Sequence, residues 1–496
     1  MIRSRSLLTP LALALALAVA LAGCAIGPDY QRPELTVPAS FKEGEGWQLA
    51  KPQDGFNHGA WWELYGDATL NDLQTRLVAA NQTLAQSLAS YRQAQALAKG
   101  ARSSFFPTIS ADVGKTRSGQ GTGSGGSVRL PDGSTVSSGG GSSSISNSYS
   151  ASLGVSWELD LWGKLRRQLE ADNASMDASA ADLANSRLSL QSQLAQNYLQ
   201  LRVMDQQIKL LNDTVTAYQR SLKLTENQYN AGIVTKADVA QARTQLKSTE
   251  AQAIDLKYQR AQLEHAIAVL VGVPPAQFSL AAVDGVPSLP NVPALLPSEL
   301  LQRRPDVASA ERQVISANAK IGVAKAAWFP DLTLTAAGGY RSGSFQNWIE
   351  TPNRYWSIGP QFAMTLFDGG LIASQVEQAE ASYDQTVATY RQTVLDSFRE
   401  VEDYMVQLKV LEEESGVQQQ ALDSAREALR LTTNQYKAGT IDYSDVVTTQ
   451  TSALSNERTL LTLTGSRLTA SVQLIAALGG GWDAAKIAEE GQATRD

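Results

Sequence analysis

Asn227-Gln228-Tyr229-Asn230-Ala231-Gly232 recurs as Asn434-Gln435-Tyr436-Lys437-Ala438-Gly439, 207 residues further along the chain. Six residues beyond each glycine comes Asp-Val, first Asp238-Val239 and then Asp445-Val446. Phe106-Pro107 pairs with Phe329-Pro330, and Leu161-Trp162-Gly163 loosely with Phe367-Asp368-Gly369, in the same order. A fixed order of matches marks one unit written twice. A unit of roughly two hundred residues is too long for a solenoid repeat, so the chain is a duplicated domain.

Working back from the first motif, residues 164–230 contain neither Pro nor Gly. Leu194, Leu201, Ile208, Val215, Leu222 and Tyr229 recur every seventh position. Val387, Val394, Val401, Leu408, Leu422, Leu429 and Tyr436 keep the same spacing in the second half, with Ser415 interrupting. A sustained seven-residue repeat predicts left-handed coiled-coil packing. At ~1.5 Å per residue such a helix spans roughly 100 Å, against ~30 Å for a bilayer core. Residues 236–271 and 444–478 are the expected returning helices, and 67–102 and 306–327 the helices that lead into Phe-Pro. The geometry closes if each long helix lies beside two stacked shorter ones, with 236–271 followed by 306–327.

Beyond Phe-Pro the period changes to two, which reads as strand. Tyr149, Ala151, Leu153, Val155, Trp157 and Leu159 alternate with Ser150, Ser152, Gly154, Ser156, Glu158 and Asp160. Ile109, Ala111 and Val113 do the same, as do Leu332, Leu334, Ala336 and Tyr340, and Ile358, Phe362, Met364 and Leu366. Strands of about ten residues with aromatics toward the ends of one apolar face are the pattern of membrane β-barrels. The Gly/Ser-rich loop 117–148 is expected to be mobile and extracellular.

The N-terminus has Arg3 and Arg5, an apolar run from Leu11 to Leu21, and Leu21-Ala22-Gly23-Cys24. This reads as a signal peptide ending in a lipoprotein cleavage box, with the sole cysteine, Cys24, as the lipidated residue. Residue 25 is Ala and not Asp, which favours the outer membrane. One Cys and two His exclude a disulfide scaffold and metal sites built on Cys/His clusters. His265 lies on an ordinary amphipathic helix, no phosphate-binding loop is present, and an enzyme finds no support; catalytic, cofactor and metal sites are all expected to be absent. Net charge −7 without a basic block gives no reason to expect nucleic acid. Four strands cannot close, since the smallest bacterial barrels have about eight and open edges are excluded from lipid, so the chain must oligomerise.

These features together resemble the TolC-type outer-membrane factors, in the lipoprotein branch of the NodT and OprM-like channels. The resemblance runs from Cys24 to the end. It rests on Gly27-Pro28-Asp29-Tyr30, Trp157-Glu158-Leu159-Asp160-Leu161-Trp162-Gly163, Arg304-Pro305-Asp306-Val307, Phe367-Asp368-Gly369-Gly370, the two Tyr-x-Ala-Gly motifs and Leu478-Gly479-Gly480-Gly481-Trp482. It implies a mostly α fold with membrane β, a homotrimer, and a 12-stranded β-barrel continuous with a 12-helix α-barrel. It also implies a periplasmic adaptor and an inner-membrane pump, commonly of the resistance–nodulation–division class, and a passive duct with no active site. The reading divides the chain into a signal peptide (1–23), a lipid-anchored leader (24–66), a first repeat (67–272), a Pro-rich equatorial connector (273–305), a second repeat (306–479) and a C-terminal tail (480–496).

Gly232 and Gly439 suit the left-handed position that ends a helix. Thr235-x-x-Asp238 and Asp442-x-x-Asp445 resemble capping boxes for the returning helices. In the family such tips form the periplasmic mouth, where adaptor hairpins dock, which makes Tyr229, Gly232, Tyr436 and Gly439 the expected adaptor contacts. Asp238 and Asp445 are candidate pore-gate carboxylates. Many members carry Leu-Leu-Asp-Ala-Gln after the second tip; here Val446-Val447-Thr448-Thr449-Gln450 puts Thr448 where a second gate carboxylate would stand. Export of small toxic compounds is the leading expectation. A protein-secretion duct of the same fold is the alternative, and a coiled-coil lipoprotein that spaces the envelope is a third reading. Copper or silver export is disfavoured by five Met and no spare Cys.

Overall fold

A computed structural model describes residues 25–44, 60–120, 127–129, 135–137, 144–290 and 303–480. The expected signal peptide, Cys24, most of the Gly/Ser-rich loop and the tail beyond Gly480 lie outside the described residues. In chain order the elements are α1 (Ala68–Ala80), α2 (Gln82–Ser103), β1 (Thr108–Gln120), β2 (Ser127–Arg129), β3 (Thr135–Ser137), β4 (Ser144–Leu159), α3 (Lys164–Asn230) and α4 (Lys236–Leu270). The second half supplies α5 (Pro305–Ala326), β5 (Asp331–Ser342), β6 (Arg354–Ala363), α6 (Leu371–Lys437) and α7 (Tyr443–Ala477). Both long helices have 67 residues and both returning helices 35, so the duplication extends to element lengths.

The chain forms two compact units. The first contains residues up to Gln31, Gln95–Ala174 and Ile315–Asp384. Its centre is an antiparallel sheet in the order β1-β4-β5-β6. The register puts Val113, Ala151 and Tyr340 in one row across the sheet, and Ile109, Val155, Ala336 and Ile358 in another. Leu153, Trp157, Leu334, Trp356 and Phe362 share that face, so the apolar residues of all four strands form one surface. It is bare: Val113 is 76% exposed and Trp356 72%. The other face carries Ser110, Asp112, Ser152, Glu158, Thr333 and Gln361, which alternate with the first set by the pleat. β1 and β6 each have one neighbour and leave one edge unpaired.

Two expectations about the strands change. β1 extends to Gln120 and β4 starts at Ser144, with Arg117 opposite Asn147, so the ends of the expected loop 117–148 are strand; β2 and β3 pair within it. Serine and threonine lengthen a ladder without a buried core because its backbone bonds are made between strands. β6 stops at Ala363, opposite Asp331, and does not reach Leu366. Pro330 precedes its partner strand and has no N–H to carry the ladder on.

The leader is seated in this unit. Ile26 N donates to Trp162 O at 3.0 Å, Asn318 Nδ2 to Pro28 O at 2.9 Å, and Arg167 Nη2 to Asp29 Oδ1 at 2.7 Å. A Cβ on Gly322 would lie 2.7 Å from Ile26 O, and one on Gly163 would lie 2.7 Å from Ala25 Cα. The glycines are there because backbone passes over backbone.

The second unit contains Arg32–Ala94, Ser175–Val314 and the chain from Gln385 onward. The seven-residue positions are its core: Leu194, Leu201, Val394, Val401, Leu408 and Leu422 are all buried. Met204, Leu211, Ala253 and Leu256 pack with Leu454, joining α3, α4 and α7. The expected single helix over 67–102 is interrupted at Asn81. Its backbone is extended, its Oδ1 accepts from Leu84 N at 2.9 Å, and its Nδ2 donates to Leu270 O at 2.8 Å. Asn81 therefore starts α2 and also satisfies the end of α4. Gly272, at φ +72°, lies where any Cβ would strike the Ala80 backbone. The second half repeats the joint: Arg304 Nη1 donates to Ala477 O at 3.2 Å, and a Cβ on Gly479 would strike Arg303. This corrects the expected stacking of 236–271 on 306–327. Each returning helix instead ends against its own repeat, α4 at the α1–α2 junction and α7 at the start of α5.

Candidate functional site

The two turns that carry the repeated motif have the same backbone. In the first, Ile233 N reaches Gln228 O and Gly232 N reaches Tyr229 O, both at 2.9 Å, with Gly232 at φ +73°. In the second, Thr440 N reaches Gln435 O at 3.1 Å and Gly439 N reaches Tyr436 O at 2.9 Å, with Gly439 at φ +75°. These paired bonds satisfy the last carbonyls of α3 and α6, and the left-handed residue between them favours glycine.

The carboxylates differ. Asp238 Oδ2 accepts from Thr235 N and Thr235 Oγ1, each at 2.8 Å, and Asp238 N donates back to Thr235 Oγ1 at 3.3 Å. That reciprocal cap starts α4 and occupies the Asp238 carboxylate. The matching box expected at Asp442 and Asp445 does not form: the Asp442 side chain makes no capping bond. Thr235 has a hydroxyl proton to donate, whereas two carboxylates three residues apart repel. Asp445 consequently stands exposed, with no side-chain partner among the described residues. Thr448 Oγ1 donates to Ser444 O at 2.9 Å along its own helix.

The tyrosines differ more. Tyr229 is 43% exposed and lines a cleft of about 340 Å³ with Glu226, Lys236, Val239 and Arg243. Tyr436 is only 6% exposed. Its hydroxyl donates to Gln228 Oε1 at 2.7 Å and lies 3.4 Å from Thr225 Oγ1. Its ring meets Tyr443 edge-on at 5.3 Å, and the Tyr443 hydroxyl lies 3.1 Å from Ser221 Oγ. Ala242 and Val446 complete the cluster, with Leu222 packed against it. The second hairpin is thus bolted to the first through side chains of α3 and α4. Burial pushes both phenols above their ordinary value, so they stay protonated donors. The Tyr436 side chain is thus engaged inside its own chain, while the Tyr229 side chain is exposed. Sequence reading missed Tyr443 because the first repeat has Lys236 at that place, so the repeat itself hides it.

A third polar cluster also escaped the sequence. Asp67 accepts from Thr69 N, Leu70 N, Tyr198 Oη and Arg202 Nη1, all between 2.9 and 3.1 Å. Arg202 Nη2 donates to Gly285 O at 2.9 Å, and Arg260 Nη2 to Leu280 O at 2.7 Å, which fastens the first part of the connector to α3 and α4. No group of His, Cys, Asp and Glu among the described residues is arranged to hold a metal ion, and no helix there is long and apolar enough to cross a membrane.

Comparison with known proteins agrees with this architecture. The outer membrane efflux protein family matches residues 73–273 and 296–480. The toluene efflux pump outer membrane protein TtgC of Pseudomonas putida is 31% identical over 466 residues, covering 93% of this chain and 93% of that protein. The cation efflux system protein CusC of Escherichia coli is 28% identical over 467 residues, covering 93% of this chain and 96% of its own. Among solved structures, the outer-membrane channel OprN superposes with a TM-score of 0.83 at 28% identity, covering 92% of this chain and all of that one. With a family model over most of its length and relatives covered almost end to end, this chain belongs to the outer membrane efflux protein family.

Proposed function

We propose that this protein is the outer-membrane duct of a tripartite efflux system, taking small toxic compounds from an inner-membrane pump through a periplasmic adaptor. The observation that carries the reading is the β1-β4-β5-β6 sheet, with its exposed apolar face and two unpaired edges. In lipid such edges must be closed. A ring of three copies pairs β6 of each with β1 of the next, giving twelve strands, all antiparallel, with the Ser/Thr/Gln face inward. The matching helices form the periplasmic tube, and the two hairpin turns per chain form its mouth. Cys24 is the lipid attachment site, and the seating of Ile26 to Asp29 immediately after it supports an anchor held against the base of the barrel. Tyr229 and the cleft beside it are the adaptor contact, and Asp445 is the charge that faces the pore.

The test is conductance of the purified, full-length protein in planar bilayers. Stable steps with cation preference are expected; absence of conductance from a folded trimer would return the protein to the envelope-spacer reading. Deletion followed by a panel of dyes, detergents and antibiotics then identifies the cargo class, and intact-mass measurement of the Cys24→Ser protein tests the anchor.

A further inference from the structure

The apolar face of the sheet ends differently at its two ends. At the end joined to helices, Leu159, Leu332 and Phe362 form one row, with Trp157 above them and no charge among them. At the loop end, the same face carries Lys115 and Arg117 on β1 and Arg354 on β6. The register fixes this: Lys115 lies across from Tyr149, Arg117 across from Asn147, and Arg354 across from Tyr340. Lys115 Nζ sits over the Tyr149 ring at 5.4 Å. All three cations are exposed, and none has an ion-pair partner among the described residues. Side chains at these positions point the same way as Val113 and Trp356, toward lipid and not toward the lumen. Lys115 and Arg354 stand level with Tyr149 and Tyr340 in the aromatic girdle, and Arg117 stands one row beyond it, at the height where headgroups begin.

An unpaired cation on a lipid-facing surface is costly unless an anion meets it. We infer that Lys115, Arg117 and Arg354 form a binding belt for the phosphate groups of the phosphorylated glycolipid that makes up the outer leaflet. The inference rests on the membrane-channel reading above. Arginine grips phosphate bidentately, and lysine supplies a point charge. The cations lie on the two edge strands, so closing the ring by pairing β6 of one copy with β1 of the next sets them along each seam. A glycolipid with two phosphates would bridge that seam, and a neutral lipid would not. Charge confined to one end of the face also argues against simple solubility, which would place it at both.

The experiment uses the full-length trimer in detergent with three lipids: bis-phosphorylated lipid A, dephosphorylated lipid A and phosphatidylglycerol. Binding is read by native mass spectrometry and by the shift in thermal dissociation of the trimer. Bis-phosphorylated lipid A is expected to bind at least about tenfold more tightly than the other two. Each cation near an anionic surface contributes roughly fivefold, so Lys115→Gln, Arg117→Gln and Arg354→Gln combined should weaken binding on the order of a hundredfold. The charge-conserving pair Lys115→Arg and Arg354→Lys should retain it. Equal binding of dephosphorylated lipid A or of phosphatidylglycerol, or an unaltered triple variant, overturns the inference. If the triple variant does not assemble, the three-lipid comparison on the unmodified protein decides alone. Conductance of the same preparation separates the two failures: a conducting trimer without phosphate preference overturns only the belt.

Discussion

Tyr436→Ala is the sharpest perturbation of the tip. The side chain is 6% exposed, contacts Tyr443 edge-on at 5.3 Å, and donates to Gln228 Oε1 at 2.7 Å. Truncating a buried aromatic to Ala costs ~3–5 kcal/mol, and a site near a hairpin end relaxes enough to favour the lower figure. The ring pair, worth ~0.5–1.5 kcal/mol, and the hydroxyl bond, worth ~1 kcal/mol, are lost within that total and are not added to it. About 3 kcal/mol is roughly a 150-fold shift in the equilibrium between docked and released second hairpin. Tyr436→Phe removes only the hydroxyl and should shift it roughly fivefold.

The assay is single-channel recording of the reconstituted trimer, with heat-stable migration of the trimer on gels as the folding control. The expected order of open probability is Tyr436→Ala, then Tyr436→Phe, then the unmodified protein. An assembled Tyr436→Ala trimer that conducts like the unmodified channel would refute the claim that this cluster holds the hairpins together. So would a Phe variant as open as the Ala variant, since the ring would then contribute nothing.

Four further outcomes separate the roles at the tip and the leader. Asp445→Asn should lower cation preference in asymmetric salt, while Thr235→Ala should leave selectivity unchanged and destabilise the start of α4 by ~1 kcal/mol, read by hydrogen exchange of its first turn. Tyr229→Ala should weaken cross-linking to the adaptor with little change in conductance; a loss of conductance equal to that of Tyr436→Ala would show both tyrosines to be structural. Gly322→Val should unseat the segment after Cys24, because a Cβ at that position would lie 2.7 Å from Ile26 O; the readout is new protease cleavage between Ile26 and Arg32. The phenols of Tyr436 and Tyr443 are raised by burial, so their contribution is complete below the ordinary tyrosine value of ~10 and is lost as pH climbs through the raised value. Open probability should therefore stay flat to about pH 10 and rise above it, in step with tyrosinate absorbance.

What could be read from the sequence was whatever repeats along one element. The period of two in β4 put Leu153, Val155 and Trp157 on one face, and the spacing of seven from Leu194 to Leu222 marked the seam of α3. Both survive because side-chain direction is set by the local backbone. What could not be read depends on partners distant in the chain. Asn81 interrupts a sequence that is otherwise good helix because its amide completes the end of α4 at Leu270, 189 residues away. Tyr436 and Tyr229 occupy the same place in motifs that differ only at Asn230 and Lys437, yet one is buried and the other exposed, since only Tyr436 finds Thr225, Gln228 and Tyr443 beside it. Duplication creates two equal local structures, and a ring then needs them to be unequal. One hairpin must pack against its own chain, and the other must be left for a neighbour or a partner. The substitutions that break the symmetry, Lys236 against Tyr443 and Thr235 against Asp442, are therefore where the two tips part in structure, and the repeated motif before them encodes only the turn.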